Sequence, residues 1–337
     1  MKKYLIRFCA ILALISISYS GVEAQQQKLA QTGFKFLYVS NDARISSMAE
    51  AGTSIRLGYA SSIFYNPAGM ASLDRLVDVS LGQTQWLADI NYMHAGLAFA
   101  PWDNNFGVFG VSVVSVDYGS FYQTVRSSGE RGFEELGTYS PTALSVGVSY
   151  AKMLSEKFSI GANVKYATQT LGTGVTAITD AGYTKEEFET NTIAVDFGVI
   201  YKTGFKSLNV GMSIRNFSQE IEFIEESFEL PLTFKVGMSM DMMDIIQPDQ
   251  DLHKLNVAVD ATNPRDNKEY FNLGGEYIFM NTLALRGGYS SFDNNGGLTA
   301  GAGVMQEVAG FLLAVDYAYA PFDIFDAVHR FTVRFSF

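Results

Sequence analysis

The sequence predicts a membrane-embedded, all-β protein: a fourteen-stranded antiparallel outer-membrane β-barrel with an N-terminal hatch segment. Three observations carry this: an alternating aromatic strand at the C-terminus, apolar content cut into short alternating pieces, and connections that are tight at one end and long at the other.

The closing strand comes first. In His329 to Phe337, Phe331, Val333, Phe335 and Phe337 share one parity, and Thr332, Arg334 and Ser336 the other. Strand side chains alternate faces with period two, so the ribbon has an aromatic face and a polar face. Such a terminal strand is an aggregation hazard in water, but it suits a barrel whose apolar face meets lipid. Outer-membrane barrels commonly end on a strand with a terminal Phe, which makes Phe335 and Phe337 the candidate assembly signal. The competing reading is a core strand of a soluble β protein.

At the other end, Lys2, Lys3 and Arg7 precede a short apolar run from Phe8 to Ile17, and Val22-Glu23-Ala24 offers a cleavage site. This reads as a secretory signal peptide, residues 1–24. The run is too short for a spanning helix, and a retained anchor is the alternative. Cys9, the single cysteine, would leave with it, so the mature chain is expected to carry no disulfide or cysteine metal site.

The chain is 47% hydrophobic and 14% aromatic, yet no later apolar run is long enough for a membrane helix. Its net charge is −11, and losing three bases and one acid with residues 1–24 would make it −13. So acidic a chain is a poor nucleic-acid binder.

Residues 25–75 break the alternation and read as a hatch or plug inside the barrel, which then occupies residues 76–337. Asp42 is placed to cap a helical turn and Gly52 to lie near its end. Asn66, Pro67 and Gly69 form a turn: Pro67 fixes its own φ and turns Asn66 away from helix, and Gly69 permits the bend.

Fourteen alternating strands follow: 76–85, 90–100, 106–117, 142–153, 157–170, 191–202, 207–217, 231–241, 254–262, 270–279, 283–290, 298–306, 311–319 and 329–337. The least regular is 106–117, where Val111, Val113 and Val114 disturb the parity. With the mature N-terminus and Phe337 on the periplasmic side, the periplasmic connections are tight except for 242–253. The outer ones, chiefly 118–141, 171–190 and 218–230, are long, with 86–89 short. Bacterial barrels have even strand numbers and this asymmetry of connections.

The lumen-facing parity carries Lys165, Asp196, Arg215, Lys235, Asp260, Glu276, Arg286, Asp316 and Arg334. Both signs are present, so pairing across neighbouring strands is expected, to rigidify the lumen or to line a polar conduit. Val210, Val236, Val257 and Tyr277 should face lipid. In the outer loop 218–230, Glu222, Phe223, Glu225, Glu226 and Phe228 mix acids with aromatic groups. That suits a solvated face, or a docking surface for protein or glycolipid, with Ca²⁺ as a candidate bridging ion. No catalytic motif occurs; His94, with Asp89 and Asp117 as conceivable neighbours, is the only weak candidate. No cofactor or metal site is expected.

The stretch Asp42-Ala43-Arg44-Ile45-Ser46-Ser47-Met48-Ala49-Glu50-Ala51-Gly52, followed by Ser61-Ser62-Ile63-Phe64-Tyr65-Asn66-Pro67-Ala68-Gly69-Met70-Ala71, resembles the N-terminal signature of the PorV/PorQ proteins, relatives of the FadL fatty-acid transporters. Two departures stand out: Glu50 replaces a commonly small residue, and the usual Asp-Asp before the turn is absent. The resemblance implies a bacterial outer-membrane location, entered through the periplasm with the barrel assembly machinery, and a role handling or attaching secreted cargo proteins with subunits of the type IX secretion system. Its alternative is FadL-like uptake of a hydrophobic ligand. Uptake would need an apolar pocket beside the hatch and a wall opening, expected at a strand kink near Gly107 and Gly110.

Overall fold

The computed structural model describes residues 32–337 except 103, 180–181, 247–251, 293–296 and 323–324. The expected signal peptide, with Cys9 and the Ala24 site, lies outside the described residues, as do positions 25–31 of the hatch. The strands in chain order are β1 (Val77–Gln85), β2 (Asn91–Phe99), β3 (Val108–Asp117), β4 (Phe121–Arg126), β5 (Phe133–Tyr139), β6 (Thr142–Ser155), β7 (Phe158–Thr179), β8 (Gly182–Lys202), β9 (Asn209–Phe217), β10 (Ile221–Phe223), β11 (Glu226–Phe228), β12 (Thr233–Asp241), β13 (His253–Pro264), β14 (Tyr270–Phe279), β15 (Leu283–Ser290), β16 (Leu298–Val308), β17 (Phe311–Ala320) and β18 (Val328–Ser336).

Fourteen of these close into one antiparallel barrel, each pairing with its neighbour along the chain once the β4–β5 and β10–β11 hairpins are set aside. β18 returns to pair with β1, and Phe337 and Val77 exchange both backbone hydrogen bonds at 2.9 Å. All fourteen strands read from the alternation are present. The faces also fall as the parity requires: Phe331, Val333, Phe335 and Phe337 are exposed on the outer wall, whereas Thr332, Arg334 and Ser336 are buried within. Closure leaves no edge in the hydrocarbon layer, where an unpaired backbone group would go unsatisfied.

β3 obeys the parity after all. Val111 and Val113 point outward, while Val114 and Val116 point into the lumen against Phe36, Phe64 and Tyr65 of the hatch. The strand looked irregular because the lumen it faces is apolar. β3 pairs without interruption with β2 and β6, so no kink opens the wall at Gly107 or Gly110. Gly107 ends the preceding turn with φ +88°, and a Cβ on Gly110 would meet Ile63 and Met70.

One expectation about the ends is corrected. Segment 171–190 is no loop: β7 and β8 continue upward as one hairpin, well beyond the roughly ten residues a bilayer needs. The mature N-terminus, expected on the periplasmic side, lies outside the described residues, but the first described residues of the hatch sit at the outer end. Thr32 and Lys35 contact Asp266 in the connection between β13 and β14, at the end remote from Phe337. Arg75 reaches Glu307 and the carbonyl of Gly310 at the end that holds Phe337. The hatch therefore runs from the outer rim to the start of β1, folding back on itself on the way: Arg56 meets Ser72, and Tyr65 returns to Ser40 and Asp42.

Candidate functional site

The hatch is a run of short turns held by side-chain caps. Asp42 accepts from the amide of Ile45 and opens the helical turn Ala43–Ser46. Gly52 does not serve as its left-handed end; Ala49 (φ +52°) and Glu50 (φ +62°) take that conformation instead. Two successive side-chain-bearing residues there are strained and persist only where the surroundings fix them. Thr299 Oγ1 accepts from the Ala49 amide at 3.0 Å, and Glu50 pairs with Lys235 at 3.1 Å. Gly52 instead donates its amide to Asp260, as does Thr53.

The turn expected at Asn66, Pro67 and Gly69 lies inside the barrel and is buried. Asn66 Oδ1 accepts from the Ala68 amide, and Pro67 begins a 3-10 turn through Ser72. The Asn66 Nδ2 donates to the carbonyl of Thr53 at 2.7 Å and toward those of Val199 and Met212 on the wall. The wall is cut to admit this backbone. A Cβ on Gly161, Gly198, Gly211, Gly274, Gly288 or Gly301 would come under 3.0 Å from a hatch atom. Glycine is what lets wall and plug approach so closely.

All nine predicted lumen charges are buried on the inner face. Their apolar neighbours Val210, Val236, Val257 and Tyr277 lie on the outward parity. Cross-strand pairing accounts for part of the set. Lys165 lies 2.8 Å from Asp196 on the adjacent strand, and Glu276 accepts from its direct partner Arg286 at 2.7 Å. Arg286 also reaches Asp316 at 2.6 Å, two strands away, across the bare backbone of Gly303. Arg334 lies 3.9 Å from Asp78.

For the remainder the expectation is corrected, because the partners belong to the hatch. Lys235 pairs with Glu50, Asp260 accepts hatch amides, and Arg44 donates twice to Glu276 at 2.7 Å. Arg215 reaches no carboxylate among the described residues; it donates to the Leu37 carbonyl at 3.2 Å. Arg44, Glu50, Asp78 and Arg330 were missed as site residues. Arg330 donates to the Ser40 carbonyl and lies over the Trp86 ring. Asp78 and Arg330 were readable as polar-parity positions, but Arg44 and Glu50 sit in irregular backbone with no periodic signal.

At the outer end, the predicted docking loop divides. Glu222, Glu225 and Glu226 are exposed, and Phe223 is half-buried against Phe188 at 6.3 Å. Phe228 is turned inward: it stacks on Phe34 at 6.1 Å and covers Gly33, while Ile221 and Leu230 join the core. Phe228 therefore seals the plug and offers a partner little, because the apolar start of the hatch needs cover at the mouth. Among the described residues, no three acidic, histidine or cysteine side chains are gathered to hold a metal, so the suggested Ca²⁺ finds no ligand set. His94 points into the barrel against Phe64, and neither ring nitrogen has a hydrogen-bond partner. At the other terminus, Phe335 and Phe337 pack with Phe311 on the outer wall.

The family model of the type IX secretion system protein PorV matches residues 22–262. No curated protein sequence matches significantly. Among solved structures, the toluene transporter TodX of Pseudomonas putida is similar at TM-score 0.55 and 11% identity, covering 92% of this chain and 99% of its own. The monoaromatic hydrocarbon channel CymD gives 0.54 at 12% identity, with 89% and 98% covered. A FadL homologue of Pseudomonas aeruginosa gives 0.52 at 11% identity, with 88% and 97% covered. At such identities these likenesses concern the fold.

Proposed function

The chain belongs to the PorV family of type IX secretion system proteins, and we propose that it receives secreted proteins at its outer rim and passes them toward attachment at the cell surface. It is an outer-membrane barrel, so its partners approach either through lipid or from the two aqueous ends. One observation supports the outer end most: the lumen is filled by the hatch, while three hairpins stand above the mouth. A lumen packed with paired charges is costly to empty, since each unpaired buried ion is penalised by several kcal/mol. Contact chemistry is therefore better placed on the hairpins than in a conduit. These are β4–β5, the upper half of β7–β8, and β10–β11, which are neighbours around the rim. The runner-up, uptake of a hydrophobic small molecule, draws on fold likeness and lacks the kinked wall at β3 that it was expected to use.

The test deletes each hairpin tip and, separately, replaces Pro67-Ala68-Gly69. Surface delivery of secreted proteins and uptake of a labelled fatty acid are then measured in the same cells. Hairpin deletions should lower delivery without affecting uptake. Delivery untouched by every deletion, together with uptake altered by the hatch change, would promote the runner-up.

A further inference from the structure

Two strand edges are left open above the membrane, and they face each other. β8 pairs with β7 along its length, but its pairing with β9 begins only at Val195. Among the described residues, no backbone hydrogen bond joins the stretch Thr184–Ala194 to anything on the β9 side. The corresponding edge of β7 is shielded: Gln123 of β4 donates to the Thr173 carbonyl, and Tyr139 of β5 covers Gly172. Across from β8, β10 pairs with β11 on one side only. The far side of that hairpin has already taken an addition, for Thr32 forms a parallel bridge with Glu229.

Between β8 and β10 lies a groove of about 620 Å³, crossed by the Phe188–Phe223 ring contact. Glu186, Glu187, Glu189 and Glu222 line it together with Phe188 and Ile224, and no basic side chain among the described residues does. Bare strand edges in water attract further strands, and natural edges are protected by charge. Here the protecting charges share one sign, so they repel an acidic strand and favour a basic one. Added strands gain affinity from backbone hydrogen bonds and specificity from side-chain complementarity.

We propose that this groove takes up an extended, Lys/Arg-rich segment of a secreted protein as an added strand between β8 and β10. The inference rests on the secretion reading above and names where and how cargo is held. One inserted segment would join the two open edges into a continuous five-stranded sheet on the cell-surface side. The apolar floor favours an aliphatic residue between the bases. Because the groove is open to solvent, binding should weaken with ionic strength.

The probe is an end-capped peptide Lys-Val-Lys-Thr-Lys-Val-Lys, titrated against the full chain in detergent micelles. Two controls accompany it: the Glu-for-Lys peptide, and the basic peptide N-methylated at alternate residues. N-methylation removes the donors for strand addition but leaves the charge. The basic peptide should bind, with at least tenfold weaker binding in 0.5 M salt, in the N-methylated form and in the variant E187K/E189K. Equal binding of the N-methylated form would overturn strand addition, and equal binding to E187K/E189K would overturn the groove. Surface delivery in cells separates this proposal from the reading beneath it. Delivery lost on deleting the β7–β8 tip but normal in E187K/E189K sinks the groove and leaves the secretion role standing. Delivery unaffected by both changes sinks the secretion role as well.

Discussion

Replacing Glu276 with Leu should be among the most damaging single changes in the wall. Its carboxylate is fully buried and accepts four hydrogen bonds: two from Arg44 and one from Arg286 at 2.7 Å, and one from Asn256 at 3.0 Å. E276L leaves the buried Arg286 and the largely covered Arg44 sharing Asp316, which touches Arg286 alone at hydrogen-bond distance. Removing one member of a buried ion pair typically costs about 3–5 kcal/mol, because the other charge stays desolvated. Since Arg44 belongs to the hatch, the loss should fall on hatch seating as well as on the β14–β15 ladder. The double variant R44L/E276L removes both charges and leaves Arg286 paired with Asp316. It should recover most of the loss, as apolar replacement of a whole buried pair is often near neutral. Urea unfolding in micelles, followed by tryptophan fluorescence, reads this out; Trp86 packs over Arg330 at the mouth of the lumen and Trp102 lies at the other end. A single-variant cost under about 1 kcal/mol, or a double variant as costly as the two singles summed, would refute the reasoning.

Gly198→Ala should loosen the hatch, since its Cβ would strike the Asn66 carboxamide, whereas Gly287→Ala meets nothing closer than 3.7 Å and should be silent. Protease protection of residues 34–73 in the folded barrel is the measurement, and equal protection in both variants would count against the glycine seat. Removing Phe337, or adding a charged tag after it, should reduce the heat-modifiable barrel recovered from outer membranes, because its backbone closes the seam onto Val77. A tag placed in the 218–230 connection should not, and equal recovery of both forms would remove the terminal residue from assembly.

The strands were legible because the bilayer imposes a pattern on them. Lipid demands apolar side chains at every second position and the lumen tolerates polar ones, so Phe158 to Tyr166 and Leu232 to Met240 declare their faces without any knowledge of neighbours. The hatch was legible only at its punctuation, the Asp42 cap and the Asn66-Pro67 turn, because nothing periodic runs through it. Ion-pair partners were half legible. Glu276 with Arg286 follows from strand order, but Glu50 with Lys235 joins an irregular segment to a strand 185 residues away, and no spacing rule reaches that far. The inward glycines were visible as residues, yet their purpose shows only against the backbone they admit.

The upper halves of β7 and β8 were misread for a physical reason that bears on function. Above the membrane no lipid demands alternation, so Thr184 to Asn191 carries charge on both parities and resembles a loop, although its ladder to β7 persists with two register shifts. A strand that needs no apolar face here is held by backbone pairing and by whatever covers its edges. One edge has cover from β4 and β5, and the other has none among the described residues. An exposed edge of this length is a liability that sequences usually blunt with charge or proline. Proline would have ended pairing for every partner. Glutamate at 186, 187 and 189 suppresses self-association through like-charge repulsion while leaving the backbone donors and acceptors available. The stretch least recognisable as a strand is thus the one whose composition fits an edge kept open for a partner of opposite charge.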